Sequence, residues 1–335
     1  MEEALLWNTE SGKTRCELCA WRCLIPEGKV GLCRVRENKK GRLYSKNFGK
    51  IIHMAENPIE KAPMFHFHPG SDALFLASFG CNMKCKFCIN ADMSQKSGAK
   101  VKKKTPEDII KYLNEKRIKL VVFTYTEPTV NFEFAFKVAR LAKRYNIKTV
   151  FVTNGYMTSD AIKKIGKYLD AVTVDIKASG DPEFYEKYTG IPDLVPIFDA
   201  LKNFRKHRVS IEISNLIVPE IGDSKELNRE LLYWIINNLD SSIPYHLTTF
   251  MPAYKMEDRL PTSIDKLEEF ASDAEEIGLR YIYIDGQSGF GRNNNTYCYN
   301  CGELVIERAT STVKKLNLVG DRCPNCGFKI DVAIE

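Results

Sequence analysis

Several features common in proteins of other classes are missing from this chain. No stretch of 18 or more apolar residues occurs, so nothing in it is expected to span a membrane. The start, Met1-Glu2-Glu3, has no basic segment followed by an apolar one, and no secretory signal is expected. A cytoplasmic location follows as the expectation. There is no Gly-x-x-x-x-Gly-Lys phosphate loop and no Gly-x-Gly-x-x-Gly turn, which leaves nucleotide hydrolysis and nicotinamide binding without support. No repeat of fixed period and no low-complexity tract appears. The net charge of +6 is a mild basic excess, far from the charge density of a dedicated nucleic-acid binder. A hydrophobic fraction of 44% over 335 residues suits a globular chain with one barrel-sized domain and small appendages.

What the chain has instead is cysteine. There are eleven, an odd number, which argues against a disulfide framework. All fall into three groups: Cys16, Cys19, Cys23 and Cys33; Cys81, Cys85 and Cys88; and Cys298, Cys301, Cys323 and Cys326. Inert buried thiols would not partition this way, so metal ligation is the working reading. Three segments follow: a Cys-rich metal-binding segment over 1–60, a barrel over 61–292, and a zinc-ribbon or rubredoxin-like module over 293–335.

Between the outer groups, short apolar runs alternate with amphipathic stretches. Strands are expected at Ala73–Phe79, Leu120–Thr124, Thr149–Thr153, Ala171–Ile176, Val209–Leu216, Tyr245–Phe250 and Arg280–Ile284. They are nearly continuously apolar, as parallel strands covered on both faces should be. Helices fit the gaps, at Asn131–Tyr145, Thr158–Lys167, Leu194–Lys206, Lys225–Leu239 and Ser263–Ile277, with Thr105 and Pro106 opening a further one. Strand-then-helix, repeated about six times, predicts right-handed crossovers and a partial (β/α)6-type barrel, with an open doubly wound sheet as the fallback.

The unusual polar residues are expected at the C-terminal ends of these strands, where barrels gather their active sites. The first strand leads into Gly80 and the three central cysteines. The second ends at Thr126-Glu127-Pro128, the third at Thr153-Asn154-Gly155, and the fourth at Asp175 and Lys177. The fifth ends near Asn215, and the sixth carries His246. Convergence of this kind points to an enzyme. Cys81-x3-Cys85-x2-Cys88 supplies three thiolates in eight residues, enough for three irons of a cubane with the fourth left open. A structural zinc would want a fourth ligand.

That spacing, with Phe87 before the last cysteine, resembles the signature of the radical S-adenosylmethionine (radical SAM) superfamily. The resemblance implies a 4Fe-4S cluster on Cys81, Cys85 and Cys88 whose open iron binds S-adenosylmethionine. It implies reductive cleavage to a 5′-deoxyadenosyl radical that takes hydrogen from an unactivated carbon, the protein supplying binding and alignment. It assigns cofactor contacts to Phe87, Thr126, Glu127, Thr153, Asn154, Asp175, Lys177, Asn215 and His246. A reduced ferredoxin or flavodoxin-type donor is the implied electron source. Nearly the whole chain resembles the AmmeMemoRadiSam branch, similar to pyruvate formate-lyase activating enzyme, through Cys16-Glu-Leu-Cys19, Pro58-Ile-Glu-Lys61, His66-Phe-His-Pro-Gly70, Asn215-Leu-Ile-Val-Pro219 and Thr296-Tyr-Cys-Tyr-Asn-Cys301. Trp21, Thr126 and Met251 depart from that pattern, which leaves no substrate secured by the branch.

The outer groups are open between metals. Cys298-x2-Cys301 and Cys323-x2-Cys326, with 21 residues between them, match a zinc ribbon, and can also take a single iron or an auxiliary cluster. The first group fits zinc, as a staple for a segment with little core, or an auxiliary iron–sulfur cluster that relays electrons or holds a substrate radical. His66-x-His68 is read as a packed or solvated pair rather than as two metal ligands, and the basic stretch Lys96 to Lys104 as a solvated flexible loop. Protein or peptide modification, including glycyl-radical activation, is the leading function. Joining of sp3 carbons, as in cross-linking archaeal membrane lipids, is an alternative that would place the chain at a membrane periphery. A multi-zinc nucleic-acid-binding protein is the alternative from another class.

Overall fold

Seven of the apolar runs do form parallel strands, and an eighth strand joins them. In a computed structural model that describes residues 1–96, 100–285 and 292–334, the central sheet contains β1 (His53–Pro58), β2 (Asp72–Ala77), β3 (Leu120–Phe123), β4 (Lys148–Thr153), β5 (Ala171–Lys177), β6 (Ser210–Ile217), β7 (Tyr245–Thr249) and β8 (Ile282–Asp285). Strand order follows chain order, with β2 to β8 parallel and β1 antiparallel on the edge beside β2. The crossovers carry α1 (Pro106–Lys116), α2 (Phe132–Ala142), α3 (Ser159–Ile165), α4 (Val195–Lys206), α5 (Lys225–Asn238) and α6 (Ile264–Ile277). Thr105 caps α1 as expected: its hydroxyl accepts from the Asp108 amide at 3.1 Å while the Asp108 carboxylate accepts from the Thr105 amide at 2.8 Å.

Alternate residues of each strand face opposite ways. Leu74, Leu76, Val121, Phe123, Phe151, Val172, Val174 and Ile213 pack under the helices in the main core. Ala73, Phe75, Val122, Val150 and Ala171 face inward and meet Ile59, Met64 and Phe67 from the loop between β1 and β2. That loop closes the floor, the N-terminal end of the barrel: Thr173 donates to the carbonyls of Ala62 and Pro63 at 2.7 and 3.0 Å. The other end, at the strand C-termini, is the mouth.

The edge strand and the small sheets of the two ends were not legible as strands. Residues Trp7–Glu10, Lys13–Cys16 and Leu24–Ile25 make one antiparallel sheet, and Glu2–Glu3, Arg36–Lys39 and Arg42–Ser45 another. Near the C-terminus, Thr296–Tyr297, Leu304–Ala309 and Thr312–Leu316 form a third. Their strands are short and mostly half-exposed, so they lack the apolar runs that mark the barrel strands. Of the basic stretch from Lys96 to Lys104, residues 97–99 lie outside the described residues. Among the described residues no helix is long and apolar enough to cross a membrane.

Candidate functional site

The chain leaves β2 through a turn that only glycine can make. Gly80 has φ +99°, and a Cβ there would stand 2.7 Å from a Val35 methyl and 3.2 Å from the Cys33 carbonyl oxygen. The loop that follows carries Cys81, Cys85 and Cys88 and is fixed by its backbone. The amides of Lys84 and Lys86 donate to the carbonyls of Thr189 and Tyr188, each at 2.8 Å, and the Gln95 side chain donates to the Met83 carbonyl at 3.0 Å. Phe87 is buried against Phe184 and Phe250, with ring centroids 5.5 and 6.4 Å away, and so anchors the loop. Burial pushes the Cys85 thiol up to about 12 and the Cys81 thiol well above the usual range. Ligation must therefore displace these protons, which couples metal binding to the site.

Beside the thiols sits a carboxylate held by three neighbours. Glu127 Oε1 accepts from the Thr129 amide (2.9 Å), the Thr129 hydroxyl (2.5 Å) and the Thr153 hydroxyl (2.8 Å), while among the described residues Oε2 accepts only from the Asn154 amide (2.9 Å). Oε2 thus keeps a lone pair for an external donor. Burial outweighs these bonds and raises its pKa. Asn154 donates to the Asn82 side chain at 2.8 Å and lies 3.9 Å from Cys81 Sγ. On the side of Cys85, the Lys177 ammonium pairs with Asp175 at 2.8 Å, and both groups act on the Cys85 thiol. Soft thiols flanked by a free carboxylate lone pair and an ammonium suit an iron–sulfur cluster together with the amino and carboxylate groups of an amino acid.

Of the expected contacts, Glu127, Thr153, Asn154, Asp175 and Lys177 gather round the three cysteines. Thr126 is half-turned away, its hydroxyl donating to the Ser78 carbonyl at 2.6 Å. Asn215 is not at the mouth. It stands on the outer face of β6, between sheet and α5, where its amide donates to the Tyr245 hydroxyl at 2.7 Å and its oxygen accepts from the Ser179 amide at 2.9 Å. His246 is not at a strand end either. It is the second residue of β7, fully buried, with Nε2 at 2.7 Å from Glu212 and Nδ1 at 3.2 Å from Asp285.

His246 belongs to the floor. Glu212 also accepts from the amides of Phe65 and His66, at 2.9 and 2.7 Å, and so ties the floor loop to β6. His66 is packed, as expected, with Nε2 at 2.6 Å from the Tyr283 hydroxyl and its pKa lowered by burial to about 4. Sequence reasoning missed Glu212 and Asp285. For Glu212 the available signal was its being the one charged residue of the strand run Ser210–Ile217.

The two outer cysteine groups differ in spacing. Among the described residues, only Cys298, Cys301, Cys323 and Cys326 bring three or more donor atoms within 4.8 Å of one another. Their sulfurs pair at 3.6 Å (Cys298 with Cys326) and 3.7 Å (Cys301 with Cys323). A tetrahedron with bonds of about 2.3 Å has edges of about 3.8 Å, so these four can hold a single ion. The two turns match: the amides of Gly302 and Gly327 donate back to the carbonyls of Cys298 and Cys323, at 2.8 and 2.9 Å.

Comparison with known proteins agrees with this geometry. The family model described as the radical SAM superfamily matches residues 76–232. An uncharacterized protein of Methanocaldococcus jannaschii is 36% identical over 339 residues, covering 100% of both chains. Pyruvate formate-lyase-activating enzyme of Clostridium pasteurianum is 31% identical over 177 residues, 50% of this chain and 72% of its own. Among solved structures, Streptococcus suis SuiB bound to its precursor peptide SuiA superimposes with a TM-score of 0.51 at 16% identity, over 68% of this chain and 51% of that one, a likeness of fold.

Proposed function

Since the chain belongs to the radical SAM superfamily, whose members use a 4Fe-4S cluster and S-adenosylmethionine, we propose that Cys81, Cys85 and Cys88 hold that cluster for hydrogen abstraction from a protein or peptide substrate. The observation that carries the reading is the set of three buried thiols at the end of β2 beside Glu127 Oε2. When bound, the cluster and S-adenosylmethionine supply an electron to the sulfonium and a 5′-deoxyadenosyl fragment that takes hydrogen from carbon.

The chain's own residues do the rest. Glu127 Oε2 would be the acceptor for the cofactor's amino group, and its orientation is set by Thr129, Thr153 and the Asn154 amide. Lys177 offers a cation to the cofactor's carboxylate side and offsets negative charge at Cys85. Phe87 and the backbone bonds to Tyr188 and Thr189 keep the loop from shifting as the thiols lose their protons. Similarity to relatives named as activating enzymes supports a protein carbon as the reacting centre, with a one-electron donor as partner.

The test is anaerobic turnover with a reductant. Wild type should form 5′-deoxyadenosine, and Cys85→Ala should form none while its circular dichroism stays that of the folded barrel. Undiminished 5′-deoxyadenosine from Cys85→Ala would refute the assignment. Deuterium transfer into 5′-deoxyadenosine from labelled protein fractions then identifies the substrate.

A further inference from the structure

Cys16, Cys19, Cys23 and Cys33 converge on one spot. The strand Lys13–Cys16 lies against Leu24–Ile25, and the Cys16 amide donates to the Cys23 carbonyl at 2.9 Å. Cys19 bridges to Met157 just beyond β4, and the four thiols lie close enough to act on one another electrostatically. No three of these sulfurs come within 4.8 Å of one another, unlike the C-terminal four. They are therefore too spread for one ion with bonds of about 2.3 Å. A cubane gives each thiolate its own iron and so holds its sulfurs farther apart. Cys81, Cys85 and Cys88 share the wide spacing.

This group abuts the loop of Cys81. The Trp21 indole, between Cys19 and Cys23, donates to the Asn82 carbonyl at 2.7 Å, and the Cys33 carbonyl presses on Gly80. Among the described residues the buried Lys84 amine has no hydrogen-bond partner, and it lies near enough to act on Cys33 as well as on Cys81 and Cys85. One uncompensated cation thus faces both thiol groups, where each loaded centre would bring negative charge. Cys33 also lines a cavity of about 490 Å³ whose lining includes Arg34, Lys46, Lys50, Lys96 and Lys103.

We propose that Cys16, Cys19, Cys23 and Cys33 hold a second 4Fe-4S centre, which passes single electrons from an acidic one-electron carrier protein docked at this basic cavity to the centre on Cys81, Cys85 and Cys88. The step moves one electron at a time. The carrier is oxidised, the second centre is reduced and then reoxidised, and no bond or proton changes place. The inference rests on the proposed function for its acceptor.

Acid-labile sulfide counts clusters and ignores lone ions. The anaerobically reconstituted full chain should hold about eight sulfides, and about four would overturn the second centre. The variant Cys81→Ala/Cys85→Ala/Cys88→Ala should keep about four, with an electron paramagnetic resonance signal on reduction. None remaining would again overturn the second centre, whereas an undiminished count would count against the proposed function instead. In Cys19→Ser/Cys33→Ser, 5′-deoxyadenosine formation should persist with dithionite and be lost with reduced ferredoxin as carrier. Equal loss with both reductants, or none with either, would overturn the relay. If that variant does not fold, the sulfide count of the wild-type chain still decides.

Discussion

Replacing His246 by Gln should change how stability depends on pH. The imidazole is fully buried between Glu212 and Asp285, one on each neighbouring strand. Burial alone would lower its pKa, but the two carboxylates outweigh burial and hold it at about 9, against an ordinary 6.5. Because the folded value lies above the unfolded one, the stabilisation is complete below about pH 6.5 and is lost as pH rises through about 9. A difference of about 2.5 units corresponds to about 3 kcal/mol. His66 works in the opposite sense: held at about 4, it costs stability as pH falls from 6.5 through 4, outside that window. In the variant, the buried Glu212 and the partly buried Asp285 lose their cation, a change that commonly costs about 3–5 kcal/mol for a fully buried pair. Urea unfolding of the metal-loaded chains at a series of pH values reads the difference directly. The gap between wild type and His246→Gln should be widest near pH 6.5 and shrink by about 3 kcal/mol on approach to pH 9.5. Parallel stability curves across that range would refute a charged imidazole at the floor.

Three other outcomes follow from the geometry. Glu127→Gln removes the charge at Oε2, and S-adenosylmethionine should bind about 10- to 100-fold more weakly by equilibrium dialysis, the value of one charge-assisted hydrogen bond. Asn215→Leu should cost about 1–3 kcal/mol in unfolding, because it strands the Ser179 amide while the Tyr245 hydroxyl keeps its bond to Asn228, yet leave S-adenosylmethionine affinity unchanged. Cys301→Ser should lower metal content by about one ion per chain, measured by mass spectrometry, with no loss of acid-labile sulfide.

The barrel was legible because buried parallel strands carry their own signal: Leu120–Phe123 is apolar whatever it pairs with, and Ala171–Ile176 is apolar but for Thr173 and Asp175. The cysteine loop was legible because its ligands are adjacent in the chain, and so was the Glu127 segment. Asn215 and His246 were misplaced for a shared reason. Both were assigned by resemblance and strand number, while the quantities that decide their surroundings are the side of the sheet and the height along the strand. A shift of one residue changes the face, and Asn215 falls on the outer one. His246 faces inward, but three residues below the strand's end, where Glu212 and the floor residue Phe65 are among its neighbours. The partners of that floor, Phe65 and Glu212, are 147 residues apart, a separation no local pattern encodes.

The two appendages meet the barrel at opposite ends, and each is keyed in by one buried arginine. At the mouth, Arg36 pairs with Glu133 of α2 at 2.7 Å and donates to the Leu5 carbonyl at 3.0 Å. At the floor, Arg308 lies 3.9 Å from Glu60 and donates to the Phe65 carbonyl at 2.7 Å. Buried ion pairs add little net stability, since desolvation offsets attraction, but a misaligned one is costly. Apolar contacts alone would let a small β-sheet slide on the barrel surface. A guanidinium that must find one carboxylate and one carbonyl admits a single docking. That constraint matters most at the mouth, because only in this docking does the Trp21 indole reach the Asn82 carbonyl and the Cys33 carbonyl meet Gly80. The geometry of the Cys81 loop is therefore set partly by the N-terminal sheets, and the first fifty residues act on the site through position as well as through any metal they hold.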